Sequence, residues 1–285
     1  MLRWRFGTHD LDLTHRGLIM GIVNVTPDSF SDGGRFNDHG RAVEHAFTLV
    51  SEGADILDIG GESTRPGAEP VDEAEELRRV LPVIRAVRSQ TKALISIDTM
   101  KASVARAALD AGADIINDVT GLRGDSAMPR LAAETTAGLV VMHMTGTPQT
   151  MQANPQYEDV VAEVRGYFER RLRVMEAEGI APERVVLDPG FGFGKTLEHN
   201  LVLMRDLDKL ARLRPLLIGV SRKSMIAKVL RSDAMEDRFW PTVALTARAR
   251  ENGARIIRVH DVKANREALR MAEAVLKDSG PQVAI

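Results

Sequence analysis

Eight short runs rich in Val, Ile and Leu recur along the chain, at about residues 18–25, 54–60, 93–98, 114–119, 138–143, 184–188, 215–220 and 255–260. Each is too continuously apolar to lie half exposed. Near-continuous apolar strands separated by helical segments indicate a parallel sheet covered on both faces. The separating segments carry helical amphipathicity at 41–52, 72–88, 101–111, 158–178, 197–210, 236–252 and 264–277. Boundary signals agree with them. Asp72, Glu73, Glu75 and Glu76 crowd one helix start, and Gly53, Gly112 and Gly179 stand just past helix ends. Pro82 predicts a kink in its helix. Eight such units favour an α/β fold of the closed (β/α)8 barrel type, with a doubly wound open sheet as the alternative. Residues 1–15 place Leu2, Trp4, Phe6, Leu11 and Leu13 around Gly7 to Asp10, which reads as a β-hairpin able to plug the barrel floor.

Most of the runs end in a polar residue. Three open polar segments: Gly21 to Asp28, Asp58 to Pro66, and Ile218 to Lys223. The other ends are Asp98, Asn117, His143, Asp188 and the pair Arg258 and His260. A barrel gathers these ends on one rim, where barrels of this kind carry their chemistry, so the chain reads as an enzyme.

Composition removes several other functions. A chain of 285 residues fits one barrel domain over 1–285. With 38 Lys plus Arg against 40 Asp plus Glu and no long basic run, nothing supports nucleic acid as a partner. The absence of cysteine excludes disulfides, thiolate nucleophiles and thiolate metal sites. No segment resembles a signal peptide or approaches the roughly 18 to 20 apolar residues of a membrane span. A soluble cytoplasmic protein is expected.

Two tempting motifs fail on spacing. The segment from Gly190 to Thr196 resembles a phosphate-binding loop, but Pro189 occupies the position of its first glycine. Its glycines, at 190, 192 and 194, do not fit a dinucleotide fingerprint either. The segment reads instead as a loop where backbone closely approaches another group. Tight His and carboxylate spacings of the zinc-enzyme kind are also missing.

Taken in order, the polar segments resemble the dihydropteroate synthase family of pterin-binding barrels. The resemblance rests on Asn24 to Gly34, Gly60 to Gly67, Ser96 to Thr99, Ile116 to Asp118, Met142 to Met144, Leu187 to Lys195, Ser221 to Ser224 and Arg258 to Asp261. It covers about residues 17 to 277. It implies a transferase of folate biosynthesis. The reaction joins 6-hydroxymethyl-7,8-dihydropterin pyrophosphate to p-aminobenzoate, releasing pyrophosphate by an ionisation (SN1-like) route.

The resemblance also distributes roles. Asp98, Asn117, Met142, Asp188, Phe193 and Lys223 would bind the pterin, whose flat edge of donors and acceptors suits carboxylate and amide partners. Phe30, Thr64, Arg65, Pro66 and Ser221 would meet p-aminobenzoate. Asn24, Arg65, Arg258 and His260 would hold pyrophosphate, with Asn24 the ligand of a Mg²⁺ that keeps most of its waters. Catalysis would fall to Asp32, Lys223, Arg258 and His260. The partners implied are these small molecules and a second copy in a homodimer, and sulfonamide sensitivity is expected.

Other features of the chain bear on that resemblance. Phe239-Trp240-Pro241 replaces the small residues common in the family, which puts the packing of that helix and any dimer surface in question. Met100 and Lys101 lie in variable territory that carries little information. A methyltetrahydrofolate-corrinoid methyltransferase and a non-catalytic pterin-binding barrel are the rival functions. The anion sites at Ser221 to Lys223 and Arg258 to His260 argue against the first.

Overall fold

A computed structural model describes residues 1–26, 35–64, 67–147 and 149–276. The chain opens with β1 (Arg3–Phe6) and β2 (His9–Asp12), then runs β3 (Leu18–Asn24), α1 (Arg35–Ser51), β4 (Ile56–Gly60), α2 (Glu73–Arg88), β5 (Leu94–Asp98), α3 (Ala102–Asp110) and β6 (Ile115–Asp118). It continues with α4 (Met128–Glu134), β7 (Gly138–Met142), α5 (Val160–Ala177), β8 (Val185–Asp188), α6 (Leu197–Arg205) and α7 (Asp208–Ala211). β9 (Leu217–Ile218), α8 (Ser224–Leu230), α9 (Phe239–Glu251), β10 (Ile256–Val259) and α10 (Val262–Val275) complete it.

All eight apolar runs are strands of one parallel sheet, in the order β8-β7-β6-β5-β4-β3-β10-β9. Leu187 N donates to Pro215 O at 3.0 Å and Leu187 bridges Leu216, so the two ends meet and the sheet is a nearly closed barrel. The doubly wound alternative is thereby set aside. Helix boundaries depart from the sequence reading in two ways. α4 and α8 span only seven residues each, about two turns, too few repeats to make an apolar face stand out in the sequence. The stretch read as one helix over 197–210 is α6 and α7, interrupted at Asp206 and Leu207. α2 runs through Pro82 without a break, with Asp72 capping its start by accepting from Glu75 N at 2.8 Å.

Strand alternation divides the core. Outward residues such as Ile19, Val23, Leu57, Ile59, Ile95, Ile97, Val141, Leu187 and Ile257 pack under the helices in one cluster. Inward residues at the strand starts, Leu18, Met20, Ile56, Leu94, Ile115, Val140, Val186, Leu217 and Ile256, form a second cluster with Trp4, Phe6 and Leu13. The hairpin therefore plugs the floor, as its sequence suggests. β1 and β2 pair antiparallel from Arg3 opposite Asp12 to Phe6 opposite His9. Trp4 is fully buried, and its indole Nε1 donates to Arg184 O at 2.7 Å. A Cβ at Gly138 would lie 3.0 Å from both the Trp4 and Phe6 rings, so the first residue of β7 must stay small to seat the plug.

Candidate active site

One step further along each strand, the inward positions change from apolar to polar. Asp58 and Ser96 are register partners on β4 and β5, Asp98 and Asn117 on β5 and β6, and Met142 and Asp188 on β7 and β8. Arg258 on β10 reaches across this layer. Its Nε donates to Asp58 Oδ2 at 2.6 Å and its Nη2 to Asp98 Oδ2 at 2.8 Å. Asn117 Nδ2 donates to the same Asp58 oxygen at 3.1 Å. One guanidinium thus serves two buried carboxylates and cannot neutralise both. Burial pushes Asp98 up to about 7 against the pull of Arg258, and the Asp58 charge adds to the rise. Asp58 Oδ1 and Ser96 Oγ are buried with no hydrogen-bond partner among the described residues, which leaves polar capacity under the rim.

Asp188 and Lys223 face each other electrostatically on the other side of the layer. Burial raises the Asp188 pKa against the Lys223 charge, and Asp188 Oδ1 accepts from Gly190 N at 2.8 Å. Burial likewise pulls Lys223 down to about 8, with Asp188 opposing the shift. Its ammonium donates to Phe191 O and lies 4.5 Å from the centre of the Phe193 ring. Phe193 joins Met142, Met144, Met151, Val119 and Met100 in a small apolar shelf beside these charges. A flat ring resting on that shelf would present its edge to Asp98, Asn117 and Asp188.

The loop from Gly190 to Thr196 makes the close approach its glycines suggest. Gly190 has φ +70°, and a Cβ there would lie 2.0 Å from His143 O. Lys195, 3% exposed, fastens the loop from beneath. Its Nζ donates to Gly190 O at 3.1 Å and Phe193 O at 3.0 Å, and pairs with His143 Nδ1 at 3.0 Å. Three acceptors match the three N–H bonds of an ammonium. Burial draws Lys195 down to about 7, and burial with the Lys195 charge draws His143 down to about 3, so the imidazole is the neutral acceptor.

At the seventh unit, Ser221 Oγ lies 2.9 Å from His260 Nδ1 and accepts from His260 N at 3.2 Å. A Ser-His-Asp arrangement through Asp188 is not formed, since the described contact of Asp188 is with Gly190. Arg222, at φ +57°, turns away to a two-pronged pair with Asp261. Ser224 then starts α8. The Phe239-Trp240-Pro241 departure opens α9, with Trp240 73% exposed. It reaches the site only indirectly: Arg238 Nη1 binds Arg222 O at 3.0 Å and Thr242 Oγ1 accepts from Arg222 N at 3.2 Å.

The structure therefore brings Asp98, Asn117, Met142, Asp188, Phe193, Lys223 and Arg258 into one basin and pairs Ser221 with His260. Asn24 ends β3 opposite Gly60. Thr64 is half-buried in the β4–α2 connection. Phe30, Asp32, Arg65 and Pro66 lie outside the described residues. Four residues of the site and its surroundings carry no role in the sequence reading. Asp58 is an acid inside an apolar strand with inward parity, a signal that could have exposed it. Lys195 and His143 pair through the fold, with no spacing to reveal them. Lys101, read as uninformative, is ion-paired to Glu62 at 2.5 Å and to Glu76.

For a metal, Asn24 offers one neutral oxygen, and the described residues contain no group of three His, Asp or Glu that could hold an ion. A single neutral oxygen fits an ion that keeps most of its waters. No described helix is long and apolar enough to cross a membrane.

Comparison with known proteins agrees with this geometry. The family described as "Pterin binding enzyme" matches residues 20–260. A dihydropteroate synthase of Escherichia coli is 49% identical over 267 residues, covering 93% of this chain and 94% of that protein. Among solved structures, the Yersinia pestis dihydropteroate synthase with a sulfonamide drug superimposes with a TM-score of 0.90 at 44% identity, over 96% of this chain and 98% of that one. The Xanthomonas albilineans dihydropteroate synthase with 4-aminobenzoic acid does so with a TM-score of 0.90 at 45% identity, over 98% and 99%. With a family match over residues 20–260 and relatives this similar over nearly the whole length, the chain belongs to the dihydropteroate synthase family of transferases.

Proposed function

We propose that this rim joins 6-hydroxymethyl-7,8-dihydropterin pyrophosphate to p-aminobenzoate, giving 7,8-dihydropteroate and pyrophosphate. The observation that carries the reading is the basin itself. A buried acceptor edge (Asp98, Asn117, Asp188) adjoins two cations (Lys223, Arg258) above an apolar shelf (Met142, Phe193). Such a basin fits a flat ring rich in N–H donors that carries a polyanion. Each charge-assisted bond to that edge contributes about 1.5–3 kcal/mol.

In the mechanism we infer, the C–O bond to pyrophosphate breaks first, leaving a pterin methylene cation. The aniline nitrogen then forms the C–N bond and loses a proton. Charge stabilisation matters more than a strong base, because the nucleophile is already a free amine. Arg258, Lys223 and His260 hold the departing pyrophosphate, and Asp32 stabilises the developing cation. Ser221 and the backbone N–H groups that follow receive the p-aminobenzoate carboxylate, with Phe30, Thr64, Arg65 and Pro66 around its ring. Asn24 would hold a Mg²⁺ ion arriving with the substrate, and that ion would supply charge neutralisation at the phosphate oxygens. No residue forms a covalent link to substrate.

The test is a pyrophosphate-release assay with the dihydropterin pyrophosphate, with and without p-aminobenzoate. Dihydropteroate should accumulate in step with pyrophosphate only when both substrates are present. Asp188→Asn and Lys223→Ala should each lower kcat/KM at least about tenfold, roughly 1.4 kcal/mol of transition-state stabilisation. Near-normal kcat/KM in both folded variants defeats the assignment.

A further inference from the structure

Lys101 takes part in no step of this chemistry, yet it is held more firmly than a surface lysine. Its Nζ donates to Glu62 Oε2 at 2.5 Å and to Glu76 Oε2. The three residues come from neighbouring units. Glu62 follows β4, Glu76 lies in the first turn of α2, and Lys101 stands directly before α3. The Glu76 side chain is fully buried and that of Glu62 is 10% exposed. An exposed ion pair contributes little, but a carboxylate inside the protein is strongly destabilising without its partner. Burial works against the Lys101 charge, and the hydrogen bonds to Glu62 and Glu76 more than offset it, leaving the pKa raised.

The other oxygen of Glu62 accepts from Val71 N at 3.3 Å, so one carboxylate ties together both ends of the β4–α2 connection. The backbone at its start lies directly on α2. Arg79 Nη1 donates to Gly61 O at 2.8 Å, and a Cβ at Gly61 would fall 2.9 Å from Val80 Cγ1 and 3.0 Å from Glu76 Cγ. Lys101 is equally fixed, by its N–H to Thr99 Oγ1 at 3.2 Å and by Ala102 N to Asp125 Oδ2 at 2.8 Å. A short path thus runs from Asp98, held by Arg258, along the chain to Lys101 and across to Glu62, two residues before Thr64.

We propose that Lys101 is a positioning residue for the p-aminobenzoate side of the site: with Glu62 and Glu76 it sets where the β4–α2 connection leaves the barrel, and so where Thr64 meets the second substrate. This rests on the assignment of Thr64 to p-aminobenzoate. The consequence is asymmetric. Loosening the clamp acts on the second substrate and spares the pterin edge, whose residues stand on strands.

Lys101→Met alone would strand the Glu76 carboxylate, so the informative variants are Lys101→Met with Glu76→Gln, and Glu62→Ala. Lys101→Arg serves as the conservative control, and circular dichroism and thermal unfolding verify the fold. Steady-state kinetics should show KM for p-aminobenzoate raised about tenfold in both, and KM for the pterin pyrophosphate within about twofold of the parent. Lys101→Arg should stay within about threefold for both substrates. The proposal is overturned by a p-aminobenzoate KM within about twofold of the parent in both folded variants, or by both KM values rising together. If the unaltered protein releases no pyrophosphate from the two substrates, the functional reading itself fails and this proposal goes with it.

Discussion

The floor and the rim of the barrel are made by the same strands, a few residues apart, and they solve opposite problems. At the floor, Trp4, Phe6 and Leu13 meet inward side chains that are all apolar, and the one polar atom of the Trp4 indole has its acceptor in Arg184 O. At the rim, Asp58, Asp98 and Asp188 share Arg258 and Lys223, Asp98 is pushed up to about 7, and Asp58 Oδ1 is left unpartnered among the described residues. The floor is arranged for stability. The rim holds buried charge that folding alone would not favour, and a substrate with donors and an anion would complete it. Stability and reactivity are therefore stacked along each strand rather than divided between domains.

The sharpest way to break this comparison is at the floor. Trp4→Ala should cost about 3–5 kcal/mol of stability, read by denaturant unfolding, because it opens a large cavity and orphans Arg184 O. At a temperature where the variant is folded, its kcat/KM should stay within about twofold of the parent. A larger loss of activity would mean that the plug also shapes the rim.

At the rim the expected effect is on rate. Arg258→Ala should lower kcat/KM at least about a hundredfold, roughly 2.7 kcal/mol, since on the proposed reading it removes a pyrophosphate ligand, and it takes from Asp58 and Asp98 the guanidinium they share. A variant within tenfold of the parent would show that Arg258 serves the fold alone.

The pH response should separate the two tasks within one residue. Lys223 loses its proton at about 8 in the folded protein, against an ordinary value of 10.5. Activity that needs the cation should fall as pH rises through about 8, approaching tenfold per unit. Stability should move the other way. Between these values the unfolded chain binds more protons than the native one, so the Lys223 contribution to stability rises with pH across that window. Lys223→Arg keeps the charge and should carry the alkaline limb of kcat/KM upward by more than about one unit. An unmoved limb would assign it to another group.

The smallest effect concerns discrimination between ligands at the p-aminobenzoate side. Sulfamethoxazole should compete with p-aminobenzoate, with an inhibition constant within about tenfold of its KM, a gap of at most about 1.4 kcal/mol. Inhibition measured at several p-aminobenzoate concentrations decides it. A constant a hundredfold above KM would mean that the connections around Thr64 exclude the larger molecule.

Much of the fold was legible because its signals are local. β-branched runs such as Leu18 to Asn24 and Leu94 to Asp98 are too apolar for any place but a covered parallel sheet, and Trp4 and Phe6 alternate as a hairpin must. α4 and α8 carry no such signal because seven residues hold only about two turns, too few repeats for an apolar face to stand out. Within the site, Asp98, Asn117, Asp188 and Arg258 stand at or beside strand ends, where position in sequence and position in space coincide, and Lys223 stands directly before α8 in the loop that follows β9. Asp58 sits mid-strand among Ile and Leu, and only its inward parity distinguishes it from a core position.

The sequence by itself determined the succession of strands and helices, the plug, and the polar strand ends, because hydrophobic period and strand parity act over a few residues at a time. Tertiary structure alone decided the pairings. Arg258 with Asp58 and Asp98, Lys195 with His143, and Lys101 with Glu62 and Glu76 span 200 and 160, 52, and 39 and 25 residues respectively. Which ion faces which is fixed by how closing the barrel aligns one strand end with the next, and the size of each pKa shift by the burial that closure imposes. Neither quantity is written in any short stretch of chain.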